Sequence, residues 1–450
     1  MDTLDTLHDI RIVSAIVAVV ISILLYWYST KNHDYWRKRG IPYVKPYPFL
    51  GSHPALERGK NLEDVELERY KKYGNFYGYY EANKPVLMVG KPELLRDILV
   101  KDFQYFSSRR VVNSGDPIQE KILSLLTGED WKRVRTIVTP TFSTGKIKRV
   151  MGIFQDCAKT ILQNFKMENA KGNPVDVYKF YGAFSMDVIA SSAFSTKVDS
   201  HNDPENQFVK YAKKAFLQEL NLKFLLFLVF PKLLQKLGFR AFAPDTMDFF
   251  KSATLNIIQE RKRTGQTRND FLQLLVDAAT EVAKEEKWDD TDDLSSNYVD
   301  DSKGHAVFKG ITSKRLSMDE LVAQCVIFFI AGYHTTATTL GLTTYLLALH
   351  PDIQEKVFKE ISEVIKETNG ELKYESIQNM KYLDNVVSEV FRICSPAIRI
   401  ERTADADYKL GDTGLTIPKG MVIGVPIYAM HKDPKFFPNP EKFDPDRFSP

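Results

Sequence analysis

Cysteine is scarce: Cys157, Cys325 and Cys394 are the only three in 450 residues. So few, so widely spaced, exclude a disulfide framework, a zinc ribbon and a CxxC redox motif, and they suit a body that works in a reducing compartment. A surplus of either charge is also missing. Against 61 Lys and Arg stand 58 Asp and Glu, a net charge of +3, which excludes a nucleic-acid binder that must neutralise a run of phosphates. No segment repeats another, which excludes a repeat array. Apolar residues are plentiful: 44% of the chain, with 12% aromatic, supports a large core and excludes wholesale disorder. The length suits one large domain or a few ordinary ones.

Charge is absent from Ile12 to Tyr28 (IVSAIVAVVISILLYWY), 17 residues at the short end of a bilayer span. Tyr26, Trp27 and Tyr28 sit at one edge, where an interfacial belt belongs. A cleaved signal peptide would be shorter and end in small residues, so residues 1–30 are expected to form an uncleaved membrane anchor. Asp2, Asp5 and Asp9 precede the run, and Lys31, Arg37, Lys38 and Arg39 follow it. The positive-inside rule then leaves everything after Lys31 in the cytosol. Residues 31–51, basic and carrying Pro42, Pro46 and Pro48, read as a stiff linker, and residues 52–450 as the catalytic body.

Within that body, residues 76–92 read as a β-hairpin turning at Asn83-Lys84-Pro85. Most of the remainder is helical in pattern. Residues 280–303 are acid-rich, as in a surface loop. Leu222–Phe230 (LKFLLFLVF) suits either core packing or a dip into the bilayer. Leu321–Leu349 again lacks Asp, Glu, Lys and Arg, which by length nominates a second span. Its Gln324, His334, two glycines and six threonines suit lipid poorly, and a helix buried in protein is expected. Ser317 with Glu320 forms a capping box, and Pro351 marks the stop, giving about 48 Å of helix at 1.5 Å per residue. The expected class is mainly α (α+β), a large helical domain with a small β-sheet region, on an N-terminal transmembrane helix.

Midway along that helix stands Ala331-Gly332-Tyr333-His334-Thr335-Thr336. Small side chains let a flat ligand approach the backbone, and threonines that bond back to i−4 carbonyls bend a helix. A helix–helix contact also needs small residues. Glu389 and Arg392 stand at i, i+3 on one helix face. His431-Lys432-Asp433-Pro434, Phe437-Pro438 and Pro445-Asp446-Arg447-Phe448 follow, and earlier in the chain Trp131 and Arg135 lie at i, i+4.

In this order, these pieces resemble the cytochrome P-450 family, from the prolines after the anchor to Phe448. The central helix is similar to the family's oxygen-activation helix, A-G-x-x-T, and Glu389 with Arg392 to its ExxR pair. Arg447 matches the arginine of P-x-R-F, and Trp131 with Arg135 the WxxxR of its propionate-binding helix. Tyr181–Ile189 and AGYHTT are most similar to the animal microsomal branch that oxidises drugs, toxins and steroids. The resemblance implies haem b (iron-protoporphyrin IX), its carboxylates held by Trp131, Arg135, Arg109 and Arg402, with Arg110 and Arg399 close by. Arginine pairs with carboxylates bidentately. Glu389, Arg392 and Arg447 are implied as a structural triad, and a buried ion cluster persists only if its donors and acceptors are bonded. Thr335 is the implied hydroxyl beside dioxygen, in the setting of Ala331, Gly332 and His334; the family has an acid where this chain has His334.

No metal ligand is implied within the chain. The family's axial cysteine, whose thiolate favours O–O cleavage, lies in an F-x-x-G-x-R-x-C-x-G loop expected after Pro450, so residues 1–450 alone are expected to be inactive. Lys132 and Arg133, turned from Trp131 on the helix, suit either docking of an acidic reductase or plain solvation. The implied activity is a monooxygenase that inserts one oxygen atom from O2 into an apolar small molecule. Its partners would be an NADPH-dependent flavoprotein reductase and the membrane, with no nucleic acid, and its place the endoplasmic reticulum with the catalytic domain facing the cytosol. Alternatives are a reductase-independent haem isomerase and a haem-free inactive membrane protein.

Overall fold

The computed structural model describes residues 2–54, 57, 59–111, 114–172, 174–203, 205–216, 236, 238, 240, 244–268, 270–280 and 315–449. Leu222–Phe230 and the acid-rich residues 281–303 lie outside the described residues. By packing, the chain divides into two units, Met1–Arg110 with Ala397–Pro438, and Val111–Pro396 with Asn439–Pro450.

The first unit begins with one helix, Asp2–Thr30, whose stretch Ile12–Thr30 has a mean hydropathy of 2.2. Its side chains from Ile12 to Tyr28 are exposed, an arrangement stable only where lipid takes the place of water. The chain after it lies against the protein rather than spanning a gap. Trp36 is fully buried, with its indole N–H donating to the Tyr79 carbonyl at 3.2 Å. Gly78 beneath it leaves no room for a Cβ against the indole. Asn83 donates to the Tyr28 carbonyl at 2.9 Å and Asn32 to the Asn83 carbonyl at 3.1 Å, tying the end of the helix to a hairpin turn.

That hairpin is β1 (Phe76–Glu81) and β2 (Lys84–Val89), paired antiparallel with Tyr80 opposite Pro85. The turn is Ala82-Asn83, one residue earlier than its sequence suggests, and Pro85 stands inside β2. Proline is tolerated there because the parallel pairing of β2 with β6 (Val422–Val425) begins only at Val86. β3 (Ile400–Thr403) closes a four-stranded sheet in the order β1-β2-β6-β3, and β4 (Tyr408–Lys409) pairs antiparallel with β5 (Thr416–Ile417) in a separate two-stranded one.

The second unit is helical and built around Met318–Leu349. Its first turn carries the expected capping box: Ser317 accepts from the Glu320 N–H at 3.2 Å, and Glu320 accepts from the Ser317 N–H at 2.7 Å. Glu320 is also paired with Arg133 of the helix Gly128–Val138, whose guanidinium donates to the Arg315 carbonyl at 2.7 Å as well. Arg133 therefore braces the start of the central helix, where its sequence position suggested a docking or solvated cation. The helix Val177–Phe194 lies against the centre of Met318–Leu349. A Cβ at Gly332 would sit 2.5 Å from Ile189 Cδ1, and one at Gly182 3.0 Å from the Tyr333 hydroxyl. Rings complete the core, with Phe194 stacked on Phe329 at 4.0 Å and Phe271 on Phe328 at 4.0 Å.

Candidate active site

In the second unit, the helix Lys381–Ile393 carries Glu389 and Arg392 one turn apart, both buried. Arg392 Nε donates to Glu389 Oε2 at 2.6 Å, and its Nη2 to Oε1 at 2.8 Å. Oε1 also accepts from the Asp444 N–H at 2.9 Å and from Arg447 Nε at 3.2 Å, while Arg392 Nη2 reaches the Lys442 carbonyl at 3.2 Å. Two cations and one carboxylate persist in the interior because the carboxylate oxygens are met by donors and a guanidinium N–H finds a carbonyl.

The centre of the long helix has two characters. Gly332 and Tyr333 face the helix Val177–Phe194, so the close packing for which glycine is needed is between helices. Ala331, Thr335 and Thr336 are exposed in the middle of a helix that is buried from Glu320 to Val326 and partly buried beyond. Thr335 Oγ1 donates to the Ala331 carbonyl at 2.6 Å, Thr339 to the Thr335 carbonyl at 2.9 Å and Thr343 to the Thr339 carbonyl at 2.8 Å. A ladder of this kind competes with the backbone for its carbonyls and loosens the helix. His334, 100° round the helix from Thr335, is turned to the neighbouring helix: its Nδ1 and the Tyr178 hydroxyl are 2.6 Å apart, with the rings edge to face at 5.8 Å. Trp131 and Arg135 lie one turn apart on Gly128–Val138, Trp131 half-buried and Arg135 exposed.

In the first unit the strand alternation sorts four arginines into two pairs. Arg399 and Glu401 share one face, where Arg399 Nη1 donates to the Tyr79 hydroxyl at 2.7 Å and its Nε meets Glu401 at 3.2 Å. Arg110 joins them through Glu401 at 2.9 Å and through Glu81. Arg402 faces the other way. The bridge between Ser108 and Thr403 brings Arg109 beside it. Neither Arg109 nor Arg402 meets a carboxylate among the described residues, and burial together with the Arg109 charge holds Arg402 below the usual guanidinium range. Two like charges held together without an anion form a donor set that suits a carboxylate-bearing ligand.

The chain matches the cytochrome P-450 family over residues 41–450. The chain belongs to that family. Among its relatives, cytochrome P-450 3A5 of Homo sapiens is 35% identical over 454 residues, spanning 99% of this chain and 84% of that protein. Cytochrome P-450 3A9 of Rattus norvegicus is 35% identical over 453 residues, with the same coverage. Cytochrome P-450 3A6 of Oryctolagus cuniculus is 35% identical over 436 residues, spanning 95% and 80%. As a cytochrome P-450 the protein is a haem-dependent monooxygenase.

In the first unit, Arg109 and Arg402, which meet no carboxylate among the described residues, suit the carboxylates of a group such as haem; in the second unit, the exposed Ala331 and Thr335 suit the approach of a flat ring face. Burial pushes the Cys157 thiol up to about 11 and Cys325 higher still, as for small apolar side chains packed in a core. Cys394 caps the helix end directly after the Glu389–Arg392 turn. One participant was not legible in the sequence. Tyr178 stands 156 positions from His334, and no motif marks it.

Proposed function

We propose that this cytochrome P-450 inserts one oxygen atom from dioxygen into an apolar small molecule, using electrons from an NADPH-dependent flavoprotein reductase at the endoplasmic reticulum membrane. In this reading residues 1–30 are the anchor, 31–51 the connector and 52–450 the catalytic body, facing the cytosol. The observation that carries the reading is the pair of exposed small side chains Ala331 and Thr335, one turn apart on a helix that is buried from Glu320 to Val326 and lacks charge from Leu321 to Leu349. A surface of that kind combines a water-poor wall with one hydroxyl in a fixed place.

Haem, when bound, supplies the activation of dioxygen. The protein's part is to bind, orient and deliver protons. Arg109 and Arg402 would hold carboxylate oxygens in bidentate fashion, and an anion there relieves their mutual repulsion. Trp131, through its indole N–H, and Arg135 would do the same from their own helix. Ala331 leaves the backbone approachable. Thr335 donates to its own helix at 2.6 Å, so its oxygen keeps lone pairs to accept a hydrogen bond from water, and rotation about its C–O bond redirects its O–H away from the helix. Glu389, Arg392 and Arg447 act at a distance, by fixing the helix end. The exposed apolar helix Ile12–Thr30 supports a substrate class that partitions into lipid.

The test is turnover of lipophilic drugs and steroids by the full-length protein in microsomes under 18O2, with NADPH and with or without the reductase. One 18O atom in each product molecule, lost when the reductase is omitted, is expected. Turnover that needs no NADPH and incorporates no 18O overturns the reading in favour of an isomerase.

A further inference from the structure

We propose that the hollow between the helices Gln207–Phe216 and Pro244–Thr264 is a binding site for a lipophilic organic cation, separate from the Ala331 and Thr335 surface. Its volume of about 630 Å³ falls within the range of small-molecule pockets. Phe249, Ser252, Ala253, Asn256 and Ile257 line it at i, i+3, i+4, i+7 and i+8, so one face of a single helix forms its wall. Phe249, Ala253 and Ile257 make the apolar edge of that face, about 12 Å long at 1.5 Å per residue. The small Ala253 between two large side chains leaves the hollow. Phe208 closes the other side, edge to face with Phe249 at 5.3 Å. Both rings are held from behind, Phe208 by Phe329 at 5.3 Å and Phe249 by Tyr211 at 4.4 Å, so the wall is in place before a ligand arrives.

The charges at this cavity are of one sign. Asp203 and Glu205 reach it from the turn before Gln207, and no Lys, Arg or His is among the described residues that line it. Neither carboxylate is paired with a cation among the described residues; that of Asp203 accepts from the Asn206 amide at 3.4 Å. An adjoining hollow of about 340 Å³ shares Thr196, Asn256 and Ile257 with the first and carries two arginines, Arg261 and Arg268. Arg261 is paired with Asp270 at 2.9 Å, and Arg268 donates to the Ser195 carbonyl at 3.2 Å. The groove is therefore negative at the Phe208 end and positive past Ile257. A molecule with a cation at one end of an apolar body has a single favourable orientation there. Its charge lies at Asp203 and Glu205, where the Phe208 and Phe249 rings also attract a cation, and its body runs along Phe249, Ala253 and Ile257. A carboxylate in place of the cation meets two like charges and no compensating donor.

The probe for the test is phenylbutyltrimethylammonium, whose nitrogen has no lone pair with which to bind a metal; phenylbutanol and phenylbutyrate are its neutral and anionic counterparts. Binding to the full-length, haem-loaded protein in lipid nanodiscs is measured by equilibrium dialysis, with empty nanodiscs as the blank. One saturable site is expected for the ammonium probe. Asp203→Asn and Glu205→Gln should each weaken it about three-fold, the scale of an exposed ion pair, and the two together about ten-fold. Both side chains are exposed, so the melting curve should not move. Ala253→Phe fills the hollow and should remove the saturable site; should that variant fail to fold, the surface pair decides. Phenylbutyrate should bind the parent about ten-fold more weakly than the ammonium probe, and the double variant should narrow that difference. Equal affinity of parent and double variant for the ammonium probe, or equal affinity of the parent for the ammonium probe and phenylbutyrate, overturns the assignment. The binding measurement needs no turnover, so its outcome is independent of the oxygen-insertion reading.

Discussion

Replacing Arg392 and Arg447 one at a time by alanine should give unequal losses, although both are cations on the same carboxylate. Arg392→Ala removes the donor at 2.6 Å from Oε2 and the one at 2.8 Å from Oε1 of Glu389, and it leaves the Lys442 carbonyl with the longer contact from Arg447 at 3.5 Å. The carboxylate is fully buried. Breaking such a pair costs about 3–5 kcal/mol, a large share of the ~5–15 kcal/mol that holds a domain together. Arg447→Ala removes a donor at 3.2 Å from Oε1 and longer contacts to the Asn439 and Lys442 carbonyls at 3.4 and 3.5 Å, and it leaves Oε1 with Arg392 and the Asp444 N–H. Its guanidinium is also 12% exposed, so the loss should be nearer about 1.5 kcal/mol, the low end for a hydrogen bond to a charged group. With a urea slope of about 3 kcal/mol/M, the midpoint of the full-length protein should fall by roughly 0.5 M for Arg447→Ala and by 1 M or more for Arg392→Ala. The Glu389→Ala/Arg392→Ala pair should lose less than the sum of its single variants, because no uncompensated charge remains. Equal midpoints for the two arginine variants, or no shift in Arg392→Ala, would refute the reasoning.

Burial raises the Asp187 carboxyl from 3.8 to about 6. The folded protein therefore binds this proton more tightly than the unfolded chain, and the contribution to stability is complete below about pH 4 and lost as pH rises through 6, about 3 kcal/mol in all. Asp187→Asn should remove that fall, and urea midpoints for parent and variant that run parallel from pH 4 to 8 would contradict it. Arg402→Gln should raise the stability of the haem-free protein by about 0.5–1 kcal/mol, by removing a like charge beside Arg109, while lowering haem retention on gel filtration; a fall in both would mean that Arg402 has a packing role instead. Cys157→Ser, Cys325→Ala and Cys394→Ser should each leave the carbon monoxide difference spectrum of the full-length protein in place, and loss of its red-shifted band in any one would identify an unexpected ligand.

The helical features legible in the sequence were those written in local chemistry. The capping box at Ser317 and Glu320, the stop at Pro351, the i, i+3 pair Glu389–Arg392 and the uncharged run after Ile12 each depend on neighbours within a turn or two, and periodicity exposes them. The hairpin was legible, but its turn was placed one residue late, because Pro85 looks like a turn residue and its tolerance depends on where β6 pairs. The burial of Trp36 was not legible, because it depends on Gly78, 42 positions away.

What the sequence determined by itself was which chemistry is present: a long apolar N-terminal helix, a small sheet, a long uncharged helix with a hydroxyl at its centre, and two pairs of arginines, Arg109 with Arg110 and Arg399 with Arg402. Which arginine of each pair stays unpaired was decided by the tertiary structure, since strand alternation sends Arg110 and Arg399 to Glu81 and Glu401 and turns Arg109 and Arg402 the other way. In the same way Arg133 became a brace for the central helix only because Glu320 lies beside it, and His334 gained Tyr178 as a partner only because two helices cross there. A side chain's type fixes what it can bond. What it does bond is set by charges and hydroxyls brought near from distant parts of the chain.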